Sequence, residues 1–158
     1  MSWAEVPFKK YKGKTLPQVV LLDPDWFFWA MEASLLQKSR MLRAEAEEID
    51  RKARNVRIPM ADGEDLMAEY VMDRNVGKFC DLKIIPRDQP LHKGSSPTQR
   101  KDVIDLSFPR QIASYDKLGC RLLLKSVKYH VFGDSNTRLT KKKCEEFFSD
   151  DSNFVLDR

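Results

Sequence analysis

Residues 7–32 read PFKKYKGKTLPQVVLLDPDWFFWAME, and they place two unlike surfaces next to each other. Residues 7–14 carry four lysines and one glycine, whereas residues 26–29 are all aromatic. Lysine side chains favour water or phosphate, and large aromatic side chains favour burial. We therefore expect a basic turn that is held outward by an aromatic core.

This stretch predicts a short hairpin followed by two helices. KYKGK forms the turn of the hairpin, because Gly13 can adopt a positive φ. Thr15 is a typical N-cap residue, and Pro17 suits the first turn of a short helix through Leu22. Asp25 can cap the next helix. We predict that this next helix continues from Trp26 to about residue 55, because that segment contains no Gly or Pro.

The aromatic residues of this helix need two covering surfaces. Trp26, Phe27, Phe28 and Trp29 wrap most of one helical turn, so they cannot all face one core. The favoured interpretation is that the hairpin covers the second face. The alternative is that Trp26 and Trp29 form a surface for a protein partner, or that the long helix self-associates.

The remaining chain predicts a single α+β domain over residues 1–158. Residues 7–55 form the hairpin and helices, and residues 56–108 form antiparallel strands. VRIPM, DLMAEYVMD and KFCDLKIIP read as a three-stranded meander, and VIDLSF as a fourth strand after a long loop at residues 87–102. Residues 112–149 form a basic helical part, with Ser114 or Asp116 capping one helix and Thr140 the next. Gly133 ends the first of these two helices.

Composition favours a globular protein without a membrane segment. The chain has 158 residues, of which 42% are hydrophobic and 33% charged, and no apolar run reaches the roughly 20 residues needed to cross a bilayer. The opening residues MSWAEV do not read as a signal peptide, so we expect a cytoplasmic location. Three cysteines and two histidines without a close pair favour free thiols and no metal or other cofactor. A composite metal site from Cys120, His130 and Cys144 is the alternative.

Positive charge is concentrated in two places, which points to a polyanionic partner. Residues 87–143 contain thirteen Lys or Arg against five Asp or Glu, although the whole chain carries only +4. Helical spacing puts the cations at positions 117, 121, 125 and 128 on one face. The predicted nucleic-acid contacts are Lys10, Tyr11, Lys12, Lys14, Lys117, Arg121, Lys125 and Lys128. A solvated hairpin and an ordinary solvated lysine face are the simpler interpretations of the same residues.

The opening stretch also resembles a known segment, the small C-terminal segment of exodeoxyribonuclease X-like proteins. That segment also occurs alone in short bacterial and phage proteins. The residues that carry the resemblance are Phe8, Lys9, Lys10, Tyr11, Lys12-Gly13, Thr15-Leu16, Asp23-Pro24, Trp26 and Trp29, with Lys9 where the pattern usually has Gly. The resemblance excludes the exonuclease domain, so it implies association with DNA-processing proteins and brings no catalytic residues.

An enzymatic alternative comes from the predicted strands. A long helix with acidic residues, three strands and a later helix is the layout of the PD-(D/E)xK nucleases. In that pattern Glu69, or Asp65, and Asp81 would hold Mg²⁺, while Lys83 would position the attacking water. Asp81 and Lys83 do fall on one face of a strand, but Asp-x-Lys is a short pattern.

We therefore expect a small non-catalytic accessory protein that binds DNA or RNA mainly through phosphate contacts. A Mg²⁺-dependent nuclease and a phage or defence-system protein-interaction module are the alternatives.

Overall fold

The computed structural model of the protein describes residues 3–91, 93–113 and 116–157. Within these ranges the chain is α+β, as the sequence predicts, with six helices and two small antiparallel sheets. The helices are α1 (Leu16–Leu22), α2 (Pro24–Glu32), α3 (Arg40–Ala53), α4 (Phe108–Ile112), α5 (Lys117–Phe132) and α6 (Lys141–Ser149). The strands are β1 (Val56–Arg57), β2 (Leu66–Met72), β3 (Phe79–Pro86), β4 (Thr98–Lys101) and β5 (Val103–Ile104). None of the described helices is long and apolar enough to cross a membrane.

The predicted hairpin before α1 has one antiparallel bridge, between Glu5 and Thr15, and Lys9–Tyr11 form a 3₁₀ helix within its loop. Val6 N–H donates to the Lys14 carbonyl at 2.7 Å, and Gly13 N–H donates to the Val6 carbonyl at 3.2 Å. Gly13 has φ +87°, a conformation that favours glycine, so the turn depends on this residue. Thr15 occupies the N-cap position of α1, and the Gln18 side chain accepts a hydrogen bond from Thr15 N–H at 3.0 Å.

The prediction of one long helix is wrong. Helix α2 ends at Glu32, Ser34 has a left-handed φ of +60°, and α3 begins at Arg40 with the Ser39 hydroxyl accepting from Leu42 N–H at 3.1 Å. Serine ends helices readily because its side chain competes for backbone hydrogen bonds. The break lets α2 and α3 each pack against α1. The single long helix on which the self-association alternative depends is therefore not formed by these residues.

The cap of α2 also differs from the prediction. Asp23, not Asp25, accepts a hydrogen bond from Trp26 N–H at 3.1 Å through its Oδ1 atom. Pro24 occupies the first helical position, where the absence of an N–H group costs nothing. Asp25 is buried inside the first turn and forms an ion pair with Arg110 at 3.0 Å. One aspartate therefore caps α2 and the other joins it to α4.

The strands pair differently from a simple meander. Strands β2 and β3 are antiparallel neighbours, as predicted, but β1 pairs with β5 in a separate two-stranded sheet. Strand β4 lies within the predicted long loop and pairs with β2. Its sequence TQRK lacks the apolar alternation that marks strands. A cross-strand ion pair between Arg100 and Glu69, 3.0 Å apart, helps to hold this strand in the sheet.

The segment VIDLSF also departs from the prediction. Only Val103–Ile104 is a strand, and Phe108 begins α4 with Pro109 in its first turn. Tyr70 of β2 joins these parts in the core, since its hydroxyl donates to the Val103 carbonyl at 2.9 Å and accepts from Asp105 N–H at 2.7 Å. Its ring packs edge-on against Phe108 at 4.2 Å. The two sheets are thus fixed to each other through one buried tyrosine.

Helix α5 packs on β3 and presents the second predicted basic patch. Asp116 caps it, accepting from Gly119 N–H at 2.8 Å, and Gly133 ends it with φ +86°, both as predicted. The alternative cap, Ser114, lies outside the described residues. Helix α6 begins as predicted after Thr140, whose hydroxyl accepts from Lys143 N–H at 3.2 Å. Leu118 is 66% exposed, so it does not contribute to the core.

A buried lysine fixes the segment that follows α6. Lys52 of α3 donates to the Phe148 carbonyl at 2.7 Å and pairs with Glu48 at 3.0 Å and Asp151 at 2.9 Å. Phe154, which follows, is 1% exposed and forms an antiparallel bridge with Val56. Phe154 is therefore part of the core, although it lies near the end of the described residues.

Candidate nucleic-acid interface

Asp23 is the centre of the candidate site. Its Oδ1 atom caps α2, and its Oδ2 atom accepts a hydrogen bond from the Tyr11 hydroxyl at 2.5 Å. Lys117 Nζ lies 3.0 Å from the same Oδ2 atom, and Lys10 Nζ lies 3.8 Å from it. The two oxygens of one carboxylate therefore hold together the hairpin, the start of α2 and the start of α5.

The protonation states at this centre follow from its contacts. Burial alone would raise the pKa of Asp23, but hydrogen bonds from Tyr11 and Lys117 lower it below its ordinary value. Burial and the neighbouring Asp23 carboxylate raise the pKa of Tyr11, and the hydrogen bond to Asp23 raises the pKa of Lys117. At neutral pH the site therefore holds an ionised Asp23, a neutral Tyr11 and a charged Lys117.

A pocket of about 410 Å³ opens beside Asp23, and we call it the Asp23 pocket. Its polar lining comes from the hairpin, from Asp23 and from α5, and its apolar lining from the ends of α1 and α2 and the buried side of α5. The lining residues are Lys10, Tyr11, Leu22, Asp23, Pro24, Lys117, Cys120, Arg121 and Leu124. The two basic patches that the sequence predicts separately therefore meet at one pocket.

The other predicted cations lie outside this pocket. Lys12, Lys14 and Lys125 are exposed and Lys128 is half-buried. Burial raises the pKa of Cys144 to about 11, while Lys128 and Lys14 both act to lower it. Both lysines therefore act electrostatically on one thiol of α6. We call the seven cations at positions 10, 12, 14, 117, 121, 125 and 128 the basic face.

The hairpin covers most of the aromatic cluster, as the favoured interpretation predicts. Phe27 and Phe28 are in the core, and Trp26 is only 9% exposed because Tyr11 packs against it edge-on at 5.1 Å and Phe8 at 6.4 Å. Trp29 is 45% exposed, with its ring 6.4 Å from that of Trp26. Of the two tryptophans predicted for a partner surface, Trp29 alone offers substantial exposed area.

The residues of the nuclease hypothesis lie on the three-stranded sheet. Glu69 is aligned with Lys83 across β2 and β3, and Val71 with Asp81. Asp81 and Lys83 are exposed, whereas the Glu69 carboxylate is buried against Arg100 Nε at 3.0 Å. Asp65 pairs with Arg87 at 2.9 Å. The sheet thus engages two of the three candidate carboxylates with arginines.

No metal-binding group is assembled in the part of the chain that the structure describes. Within residues 3–91, 93–113 and 116–157, no three or more His, Cys, Asp or Glu side chains converge. Cys120, His130 and Cys144 therefore do not form the composite site considered from the sequence. Cys120 and Cys144 are buried free thiols, as expected, but Cys80 is exposed.

The central role of Asp23 is the functional feature that the sequence did not predict. The sequence assigns Asp23 no contact of its own, because Asp25 is the predicted cap of the helix that follows. Its place in the segment that resembles exodeoxyribonuclease X-like proteins was the one available signal. The apolar lining residues Leu22 and Leu124 carried no signal, because each reads as an ordinary core leucine of an amphipathic helix.

No family model, curated protein or solved structure matches this chain. The candidate site is therefore defined by its own residues, with Tyr11, Lys10 and Lys117 around the Asp23 carboxylate and Arg121 in the lining of the adjacent pocket.

Proposed function

We propose that the protein is a non-enzymatic, cytoplasmic accessory protein that binds DNA or RNA mainly through phosphate contacts on the basic face. The observation that carries this proposal is the convergence of Lys10 and Tyr11 with Lys117 and Arg121 around the Asp23 pocket. Residues from two distant parts of the chain are thereby presented as one cationic surface. Phosphate recognition requires several cations on rigid elements, and the hairpin and α5 provide them.

The charge of the pocket supports an anionic ligand. Lys10, Lys117 and Arg121 line it together with one acid, Asp23. Two of these cations contact Asp23, but the Lys10 side chain remains 52% exposed and Arg121 is exposed. Among the described residues, neither Arg121 nor Lys125 forms an ion pair within the protein. These two side chains are therefore available for phosphate at no cost to internal contacts.

The resemblance to exodeoxyribonuclease X-like proteins supports the same proposal. Several of the residues that carry it are those that hold the hairpin in place. Tyr11 and Asp23 share a hydrogen bond, and Tyr11 and Phe8 pack on Trp26. We infer that the segment serves to hold the KKYKGK turn in a fixed position beside another helix of the same chain, which is α5 here.

The test is a binding titration by fluorescence anisotropy at low salt, with labelled single-stranded and double-stranded DNA and RNA. We expect saturable binding that weakens as salt rises. In a plot of the logarithm of the binding constant against the logarithm of the salt concentration, each phosphate contact should steepen the slope by about 0.7–0.9. The double variant Arg121→Gln/Lys125→Gln is expected to bind more weakly and to show a smaller slope. Arg51→Gln/Lys78→Gln makes the same change of charge at exposed positions outside the basic face and is the matched control.

Three outcomes would overturn the proposal. Absence of binding to every nucleic acid at low salt would remove it. Mg²⁺- or Mn²⁺-dependent cleavage that survives purification and disappears in Asp81→Ala would establish the nuclease alternative. Binding of a protein partner that persists at high salt and requires Trp29, without nucleic-acid binding, would establish the interaction module.

A further inference from the structure

The shape of the Asp23 pocket restricts what can enter it. Its volume of about 410 Å³ falls in the range of roughly 300–1,000 Å³ typical of small-ligand pockets. A duplex presents phosphates on its outside and keeps its bases stacked inside, so a paired nucleotide enters a pocket only after it is flipped out. An unpaired nucleotide avoids that energetic cost. The pocket can therefore contribute to the binding of single strands, and much less to the binding of duplexes.

The lining of the pocket has two chemically different sides. Lys10, Lys117 and Arg121 supply positive charge, whereas Leu22, Pro24 and Leu124 supply apolar surface. Leu22 is 55% exposed, whereas the other apolar residues of α1 are buried. A phosphate suits the cationic side and the face of a base suits the apolar side. The planar guanidinium of Arg121 can also stack on a base.

An exposed aromatic ring, Trp29, lies two ring contacts away from the pocket. Tyr11 lines the pocket, its ring lies 5.1 Å from Trp26, and Trp26 lies 6.4 Å from Trp29. These contacts form a row of rings that leads from the pocket to Trp29. Trp26 in the middle of the row is 9% exposed, so Trp29, at 45% exposed, is the ring that a neighbouring base can reach. Aromatic rings beside a basic groove are the usual platform for successive bases of a single strand.

We infer that the Asp23 pocket receives one unpaired nucleotide and that Trp29 stacks a neighbouring base, so that the protein prefers single-stranded to double-stranded nucleic acid. This inference rests on the proposed function and adds the class of ligand. It assigns Leu22 and Trp29 a role in selecting single strands. The remaining cations of the basic face contact phosphates of either form.

The test compares a single-stranded 20-mer of DNA, the same sequence in RNA and the blunt DNA duplex at one salt concentration. We expect at least one of the single strands to bind about tenfold or more tightly than the duplex, since stacking one base on an aromatic ring changes affinity by about tenfold. Trp29→Ala and Leu22→Ala are expected to weaken single-strand binding several-fold to tenfold and to leave duplex binding unchanged. Arg121→Gln is expected to weaken both.

The matched control is Met60→Ala, which removes another apolar side chain that is 45% exposed, at a residue outside the pocket and the basic face. It is expected to change neither affinity. Equal binding of single strands and duplex overturns this inference and leaves the proposed function standing, whereas absence of all binding overturns the proposed function itself. A single-strand preference that survives both Trp29→Ala and Leu22→Ala also overturns the inference, because the pocket and its aromatic row would then not select the ligand. Thermal melts of each variant check that the fold is intact.

Discussion

Lys117 Nζ lies 3.0 Å from Asp23 Oδ2 across a sequence separation of 94 residues, and this ion pair joins α5 to the junction of α1 and α2. The same oxygen accepts the Tyr11 hydroxyl, so the pair also fixes the hairpin. The Asp23 side chain is 14% exposed and that of Lys117 is 30% exposed. The contact is therefore shielded enough to contribute to stability, unlike a fully exposed ion pair.

Two substitutions of Asp23 separate its role in the ion pair with Lys117 from its role as the cap of α2. Asp23→Asn keeps an oxygen for capping α2 but removes the negative charge, so we expect the free energy of unfolding to fall by about 1–2 kcal/mol. Asp23→Ala also removes the cap, which costs about 1 kcal/mol more. Urea denaturation of both variants measures these values. Asp62→Asn, in an exposed turn, is the control, and an equal loss in that variant would contradict the assigned role of Asp23.

The stability contributed by Asp23 is expected to depend on pH in a defined direction. The pKa of Asp23 is below its ordinary value of 3.8 in the folded protein, so the folded state favours the ionised carboxylate. Its contribution is therefore complete above about pH 5 and is lost as pH falls through the lowered pKa.

The measurement is the difference in unfolding free energy between the wild type and Asp23→Asn from pH 7 to pH 2.5. The difference should stay constant down to about pH 5 and then shrink. Groups other than Asp23 contribute equally to both proteins and cancel. A difference that remains unchanged to the lowest pH would show that the charge of Asp23 does not stabilise the fold.

The two tryptophans of α2 should respond differently to truncation. Trp26 is 9% exposed beneath Phe8 and Tyr11, so Trp26→Ala is expected to cost about 3 kcal/mol or more of unfolding free energy. Trp29 is 45% exposed, and Trp29→Ala is expected to cost less than about 1 kcal/mol. Chemical denaturation of the pair distinguishes them. Similar losses in both variants would contradict the packing described here.

Lys52 should anchor the segment after α6. Lys52→Met removes the donor to the Phe148 carbonyl and the partner of Glu48 and Asp151, so we expect a loss of about 1–3 kcal/mol. Hydrogen exchange should increase first at residues 150–156, which Lys52 helps to hold. Lys142→Met, at an 84% exposed side chain, is the matched control and should be close to neutral. Unchanged exchange at residues 150–156 in Lys52→Met would show that other contacts hold this segment.

Local chemistry explains what could be predicted from the sequence. The caps at Thr15, Asp116 and Thr140 and the turns at Gly13 and Gly133 each depend on a few adjacent residues, and all five are correct. The break at Ser34 was missed because no Gly or Pro marks it. The pairing of Val56 with Ile104 was missed because it depends on contacts between distant segments.

In the candidate site, too, features set by nearby residues could be predicted, and features set by contacts between distant segments could not. Each basic patch could be identified from spacing alone. Their convergence could not, because it requires α5 to dock beside α2 and Lys117 to reach Asp23. The exposure of Leu22 could not be predicted either, since only the packed structure shows which face of a short helix remains open.

The position of Phe154 has a consequence for how the protein is made. Its side chain stacks on Phe148 at 5.4 Å, and its backbone pairs with Val56, nearly a hundred residues earlier in the chain. A ribosome must therefore release residue 154 from its exit tunnel before the core can close. During synthesis the earlier residues would wait in a partly assembled state, exposed to chaperones and proteases. Closure of the core is thus expected to be a late step in the folding of this chain.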